Sequence, residues 1–361
     1  MPLPLLAAAL VAATPANSEP LYLGADLSFT NEMEDCGARF TDHGKPSDPF
    51  KVMKAHGGNI MRVRLWNNPD WTHYSAYDDV LKTITRAHAA GLKVLLDFHY
   101  SDDWADGEKQ LAPAAWAKLS TPEQVAALHD FTRQTLDRLH AAGQWPEFVQ
   151  VGNETNLEML GPKTGKIDWV RNAALINAGV SAVREASKAH QAPVQVMLHI
   201  AQPENILPWF DDATAAGVLD YDIIGISYYS KWSKLDLDGL AKVITAARQR
   251  YGAQVWVVET AYAFTNEAMD NTTNLLGSDS ALPAYPVSKK GQQRYLEDLT
   301  KTVVASGGSG VVYWAPDWVS TACKTRWGTG SSWENAGLFD VRRHEALPAW
   351  DFMAKDYGRP R

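Results

Sequence analysis

EFVQVGNETNLEML (residues 147–160) approaches as a strand, EFVQV, and then breaks at Gly152 into a polar loop opened by Asn153 and Glu154. An amide and a carboxylate thus stand where a strand gives way to a loop. Short apolar runs of the same kind recur at 21–27, 60–65, 92–99, 194–200, 222–228, 254–259 and 310–315, making eight in all. Longer amphipathic segments alternate with them, at 48–56, 75–90, 120–142, 168–190, 204–216, 237–251, 288–306 and 346–356. Within 75–90 the residues Tyr77, Val80, Leu81, Ile84 and Ala87 fall on one helical stripe. Ser120-Thr121-Pro122-Glu123 is a capping-box pattern, and Asp48-Pro49 pairs a cap with a first-turn proline.

Eight strand–helix units predict an α/β fold, a (β/α)₈ TIM barrel built as a single domain. An open doubly wound sheet is the competitor, but GADLSFT after the first strand lacks the glycine-rich phosphate fingerprint of that fold. The long irregular stretches 99–119, 260–287 and 315–345 each follow a strand, so a barrel gathers all of them at its C-terminal face, where active sites are built.

With 34 Lys and Arg against 42 Asp and Glu, the chain of 361 residues carries a net charge of −8 and has no basic run. Nucleic acid, membrane surfaces and polyuronates are excluded as natural partners. Residues 3–13 are apolar but too short to span a bilayer, and small residues follow them. Residues 1–18 therefore read as a signal peptide, leaving 19–361 as the catalytic domain, secreted or periplasmic and by default a monomer. Cys36 and Cys323 lie in the loops after strands 1 and 8, neighbours in a closed barrel, which favours a disulfide over two unrelated thiols. Many of the fourteen tryptophans sit beside Asp, Asn, Gly or Pro, where flat aromatic faces suit sugar rings.

The ionisable residues at strand C-termini are Asp26, Arg64, Asp97, His99, Glu154, His199 and Glu259. Glu154 ends strand 4 and Glu259 ends strand 7, so the two face one another across the barrel mouth. One carboxylic acid that protonates a leaving oxygen and a second that attacks the sugar carbon are what glycoside hydrolysis needs. Asn153 is expected to hold a sugar hydroxyl, Arg64 to keep Glu259 ionised, Tyr228 to donate to the same oxygen, and Trp314 to floor the cleavage-site sugar. Arg62 reads as deeper structural support and Glu158 as a loop contact. His99 and His199 are either satisfied core histidines or donors to sugar hydroxyls, and Asp97 orients His99.

"GADLSFTNEMEDCG", "RVRLWNNP", "LLDFHYSDDWAD", "QVGNETNLEML", "GISYYSKW", "VVETAY" and "WGTGSSWENAGLFD" together resemble the endo-β-1,4-galactanases of glycoside hydrolase family 53. The resemblance spans nearly the whole mature chain. It implies a retaining endo-glycoside hydrolase of β-1,4-galactan, the side chain of type I arabinogalactan, with Glu154 as acid/base and Glu259 as nucleophile. It also implies that Asn153, Arg64, His99, Tyr228 and Trp314 contact the cleavage-site sugar or the nucleophile, and Asp26, Trp66 and His199 join the candidate substrate-binding set. Family members often carry Pro-Gly after Trp-Ala-Asp, whereas Gly107-Glu108 stands here.

No cofactor and no metal ligand is predicted. Several bacterial members of the family bind calcium in the loop after strand 7. Here that loop offers Asp270, Asn271, Asn274 and Asp279 without a dense alternation of acids, so calcium is chemically admissible but not predicted. The rivals are another β-glycanase of the same clan (a cellulase or mannanase), a metal-dependent barrel hydrolase using Asp97, His99 and His199, and a non-catalytic galactan-binding protein.

Overall fold

A computed structural model describes residues 19–161 and 166–361. The segment expected to be a signal peptide lies outside the described residues. Eight parallel strands close into a barrel: β1 (Tyr22–Asp26), β2 (Ile60–Leu65), β3 (Lys93–Phe98), β4 (Phe148–Val151), β5 (Gln195–Ala201), β6 (Ile223–Ser227), β7 (Gln254–Glu259) and β8 (Gly310–Tyr313), with β8 pairing back onto β1. Nearly every strand residue is buried, because helices cover the outside and side chains fill the inside.

The covering helices are α1 (Pro49–Ala55), α2 (Tyr77–Ala89), α3 (Thr121–Ala141), α4 (Trp169–His190), α5 (Ile206–Ala215), α6 (Leu237–Tyr251) and α7 (Lys289–Ala305). Their starts follow local chemistry. Asp48 accepts from the Phe50 N–H at 2.8 Å, with Pro49 in the first turn. The Glu123 carboxylate reaches back to the Ser120 N–H at 2.8 Å, the return arm of a capping box. On α2, Val80, Ile84 and Ala87 are buried while Tyr77 and Leu81 are partly so, which matches the expected stripe.

The eighth covering element differs from expectation: Pro348–Met353 is a 3₁₀ turn rather than an α-helix. Ala349, Trp350, Phe352 and Met353 are all buried, so the segment wedges apolar groups inward without a helical polar face. The long loops add a short helix at Thr30–Asp35 and two small hairpins, Thr41–Asp42 with Lys45–Pro46 and Lys324–Thr325 with Gly328–Thr329. Cys36 and Cys323 form a disulfide that joins the loops after β1 and β8. Among the described residues, no helix is long and apolar enough to cross a membrane.

Inside the barrel two layers with opposite chemistry are stacked. The lower one is apolar, with Tyr22 stacked on Trp256 at 4.8 Å and edge-on to Phe148 at 5.0 Å, and with Ile60, Leu95, Met197, Ile223 and Val312 filling the rest. Gly310 makes room for this: a Cβ there would stand 2.4 Å from the Trp256 ring. One pleat higher the inward positions become Asp26, Arg62, Asp97, Gln150 and His199, all buried. This polar layer forms the base of the barrel mouth.

Candidate active site

Arg62 organises the polar layer. Its Nη1 lies 2.9 Å from Asp26 and 2.8 Å from Glu259 Oε1, its Nη2 2.8 Å from Asp97 and 2.7 Å from Asn153 Oδ1, and its Nε 3.2 Å from Gln150 Oε1. A guanidinium has five N–H donors; four are hydrogen-bonded here and Glu259 is held as an ion pair beside Nη1. The three surrounding carboxylates offset the cost of burying the cation and hold it protonated.

Arg62 therefore replaces Arg64 in the expected pairing with Glu259. Arg64 sits one pleat higher, above the carboxylates. Its guanidinium lies over Phe29 at 4.1 Å and Trp104 at 4.3 Å, and its Nε and Nη1 have no hydrogen-bond partner. A second expectation is corrected in the same way. Tyr229, not Tyr228, donates to Glu259 Oε2 at 3.0 Å, while the Tyr228 hydroxyl turns away to the Leu235 carbonyl at 3.1 Å. Consecutive residues leaving a strand point to opposite sides, and only one of two adjacent tyrosines can face the mouth.

Glu259 reaches the mouth through an irregularity. Trp256 and Val258 face the barrel interior, so strict alternation would aim residue 259 at the helices. Between β6 and β7 the pairing slips, with Ile226 opposite Val257 but Ser227 opposite Glu259. That slip turns the end of β7 and aims the carboxylate inward.

Glu154 lies just beyond β4 with φ +45°, a left-handed conformation in which a non-glycine residue is strained. Its Oε1 accepts from the Ser227 hydroxyl at 2.5 Å and its Oε2 from the Gly107 N–H at 3.0 Å. Gly107 belongs to a tight turn closed by mutual backbone bonds between Asp106 and Lys109. The Gly107-Glu108 departure thus supplies a donor to Glu154.

The ring nitrogens of His199 and His99 meet protein groups, and His99 also faces the barrel mouth. His199 Nδ1 lies 3.0 Å from Asn153 Oδ1, 3.1 Å from the Gln150 amide and 3.3 Å from the Glu154 nitrogen, and its Nε2 is 2.8 Å from Ser227 Oγ. Burial holds this imidazole neutral, far below its ordinary range. His99 receives the Ala105 N–H at Nδ1 at 3.2 Å and directs Nε2 at Asp97 at 3.0 Å. Asn153 gives Oδ1 to Arg62 and one amide hydrogen to the Ala105 carbonyl at 2.8 Å, leaving a single N–H for a ligand. Glu158 is bound by Arg171 at 2.6 Å, a loop contact as expected.

A carboxylate oxygen of Glu154, one of Glu259 and a ring nitrogen of His199 lie within 4.8 Å of one another. Burial pushes the Glu259 carboxyl up to about 8, with Arg62 pulling it down and Glu154 adding to the rise. Burial also raises Glu154, opposed by the bonds from Ser227 and Gly107. Two carboxylates this close do not both ionise readily, so the pair shares one proton. Glu259 meets a guanidinium and a phenol, whereas Glu154 meets only neutral donors.

The pair opens into a cavity of about 590 Å³ walled by Trp104, Trp232, Trp314, Trp318 and Trp333. A smaller aromatic recess of about 280 Å³, lined by Trp66, Trp71 and Trp327, adjoins it and shares Arg64, Trp104 and Trp318. Trp314 stands edge-on to Trp333 at 4.7 Å and remains half-buried, while Trp66 is almost wholly buried and serves the wall more than the opening. In the loop after β7 the Asp270 carboxylate is already taken by the Thr272 N–H, the Ser331 N–H and the Ser320 hydroxyl, and Lys231 joins the Leu275 carbonyl to Asp279. Asn274 Oδ1 in the same loop is buried without a hydrogen-bond partner.

Two opposed carboxylates at the ends of β4 and β7, one on a buried arginine, under a tryptophan-walled opening in a (β/α)₈ barrel, define a glycoside hydrolase. The chain belongs to glycosyl hydrolase family 53, whose model matches residues 22–353. It is 49% identical to the arabinogalactan endo-beta-1,4-galactanase of Cellvibrio japonicus over 98% of this chain and 96% of that protein. It is 37% identical to the endo-beta-1,4-galactanase of Bacillus subtilis over 87% of this chain and 76% of that one. The solved GH53 catalytic domain from Ignisphaera aggregans superposes with a TM-score of 0.84 at 30% identity, covering 95% of this chain and 97% of the other.

Proposed function

We propose that the protein is a retaining endo-hydrolase of β-1,4-galactan, with Glu154 as general acid and base and Glu259 as nucleophile. The observation that carries this is the separation of the two carboxylates, within 4.8 Å at their nearest oxygens. Retaining enzymes hold their carboxyl groups about 5–5.5 Å apart, while inverting ones need about 6.5–9.5 Å to admit a water. The galactan preference rests on the named relatives.

In the first step Glu259 forms a bond to the anomeric carbon as the glycosidic C–O bond breaks, and the Glu154 proton goes to the departing oxygen. In the second, Glu154 takes a proton from water, the water oxygen bonds to the same carbon, and Glu259 leaves as carboxylate. Two inversions give net retention. Arg62 and Tyr229 disperse the charge on Glu259 between the steps, and the remaining Asn153 N–H faces the sugar hydroxyl adjacent to the anomeric carbon. Trp314 and its neighbours offer faces for sugar rings. None of these steps requires a metal or cofactor. A disulfide-bearing chain fits a secreted or periplasmic protein acting as a monomer on a polysaccharide.

The test is digestion of linear galactan, cellulose and mannan, followed by proton NMR of the first products. Rapid viscosity loss on galactan with β-anomers appearing first is expected. Preference for cellulose or mannan would overturn the substrate, first release of α-anomers would overturn retention, and stoichiometric binding without new reducing ends would overturn catalysis.

A further inference from the structure

Away from the barrel mouth, two imidazoles and a carboxylate converge where the hairpin after β1 meets the C-terminal end of α1. Asp42 and His43 sit on the hairpin, and His56 caps the helix. One donor atom from each lies within 4.8 Å of the other two. His56 Nε2 is 3.3 Å from Asp42 Oδ1, and His43 Nε2 is 3.8 Å from the same oxygen. Ligands at about 2.0–2.1 Å from a tetrahedral zinc ion stand about 3.3 Å apart, so one edge already has the right length. The other closes by a small swing of His43, whose side chain is 85% exposed.

Two independent features prepare the arrangement. His56 Nδ1 is 2.6 Å from Asp351 of the C-terminal 3₁₀ turn. That bond fixes the ring and directs Nε2 at Asp42, the carboxylate–histidine relay that commonly stands behind a metal ligand. The hairpin itself is rigid. His43 and Gly44 carry φ values of +51° and +71° at its turn, and Glu345 binds both the Gly44 N–H and the Thr41 hydroxyl. Glu154, His199 and Glu259 form the other such grouping among the described residues, but the ring nitrogens of His199 and the inner oxygens of the glutamates are already hydrogen-bonded or ion-paired within the protein.

We propose that Asp42, His43 and His56 bind a divalent transition cation of zinc's class. Two imidazoles and one carboxylate suit such an ion better than calcium or magnesium, which prefer oxygen ligands. The ion would clamp the hairpin to α1 and, through Asp351, to the end of the chain. It plays no part in hydrolysis.

The experiment is titration of the chelator-stripped full chain with zinc chloride by calorimetry, with cobalt(II) absorption as a second reading of the ligand field. The expected result is one saturable equivalent, an intense tetrahedral cobalt spectrum and a raised thermal midpoint. His43→Ala should abolish all three while leaving galactan hydrolysis unchanged. Asp351→Asn should weaken zinc roughly 10-fold or more. Absence of saturable binding would overturn the proposal, as would binding that survives His43→Ala or is lost instead in Glu154→Gln. His43 is exposed but holds a positive φ, so His43→Asn, which tolerates that conformation and removes the imidazole, should lose zinc binding equally and separates loss of the ligand from loss of the turn.

Discussion

Arg62 Nη1 lies 2.8 Å from Glu259 Oε1, and both side chains are buried at the base of the barrel mouth. This cation is the main influence opposing the burial that raises the Glu259 carboxyl. Replacing Arg62 with Met should push that carboxyl higher still. A nucleophile must be ionised to attack, so the acidic limb of the kcat/KM profile should move to higher pH by about 1–3 units. Arg62→Met also leaves Asp26 and Asp97 uncompensated, at about 3–5 kcal/mol of stability, and Arg62→Lys, which keeps a cation beside Glu259, is the control whose limb should move less. An unmoved limb in folded Arg62→Met would refute the pairing.

Glu154 and Glu259 are distinguishable by rescue. Glu154→Ala should lose about 10²–10⁴-fold in hydrolysis. Added azide, which needs no general base, should restore turnover and give the β-galactosyl azide. With Glu259→Ala, azide should enter from the vacated face and give the α-azide. The reverse assignment of products would exchange the two roles.

Tyr229→Phe removes the hydroxyl that donates to Glu259, whereas Tyr228→Phe removes one that bonds a backbone carbonyl. A hydrogen bond to a charged group contributes about 1.5–3 kcal/mol, so Tyr229→Phe should lower kcat roughly 10- to 150-fold. Tyr228→Phe should change kcat little and reduce thermal stability slightly. Steady-state kinetics on both variants checks this.

Ser227→Ala removes a donor that pulls the Glu154 carboxyl down. The carboxyl should therefore rise, and because the acid must be protonated, the basic limb of the profile should shift to higher pH. A shift to lower pH would mean that Ser227 stabilises the protonated form instead.

The Cys36–Cys323 bond spans 287 residues of sequence and ties the loops after β1 and β8. Its reduction should cost about 2–4 kcal/mol, read as a lower thermal midpoint with and without reductant.

The residues alone determined the barrel, the positions of its eight strands and seven of the eight covering elements, because hydrophobic periodicity and cap chemistry are local and act before any tertiary contact. They also marked Glu154 and Glu259, since carboxylates at the ends of strands three apart in the barrel are visible as spacing. Only the folded chain decided which neighbour serves each one. Arg62 against Arg64 and Tyr229 against Tyr228 are choices between residues one pleat or one position apart, settled by barrel height and by the slip opposite Glu259. The Asp42–His43–His56 grouping was hidden for a related reason: a hairpin and a helix end meet there only after α1 has packed, and no spacing along the chain encodes that meeting.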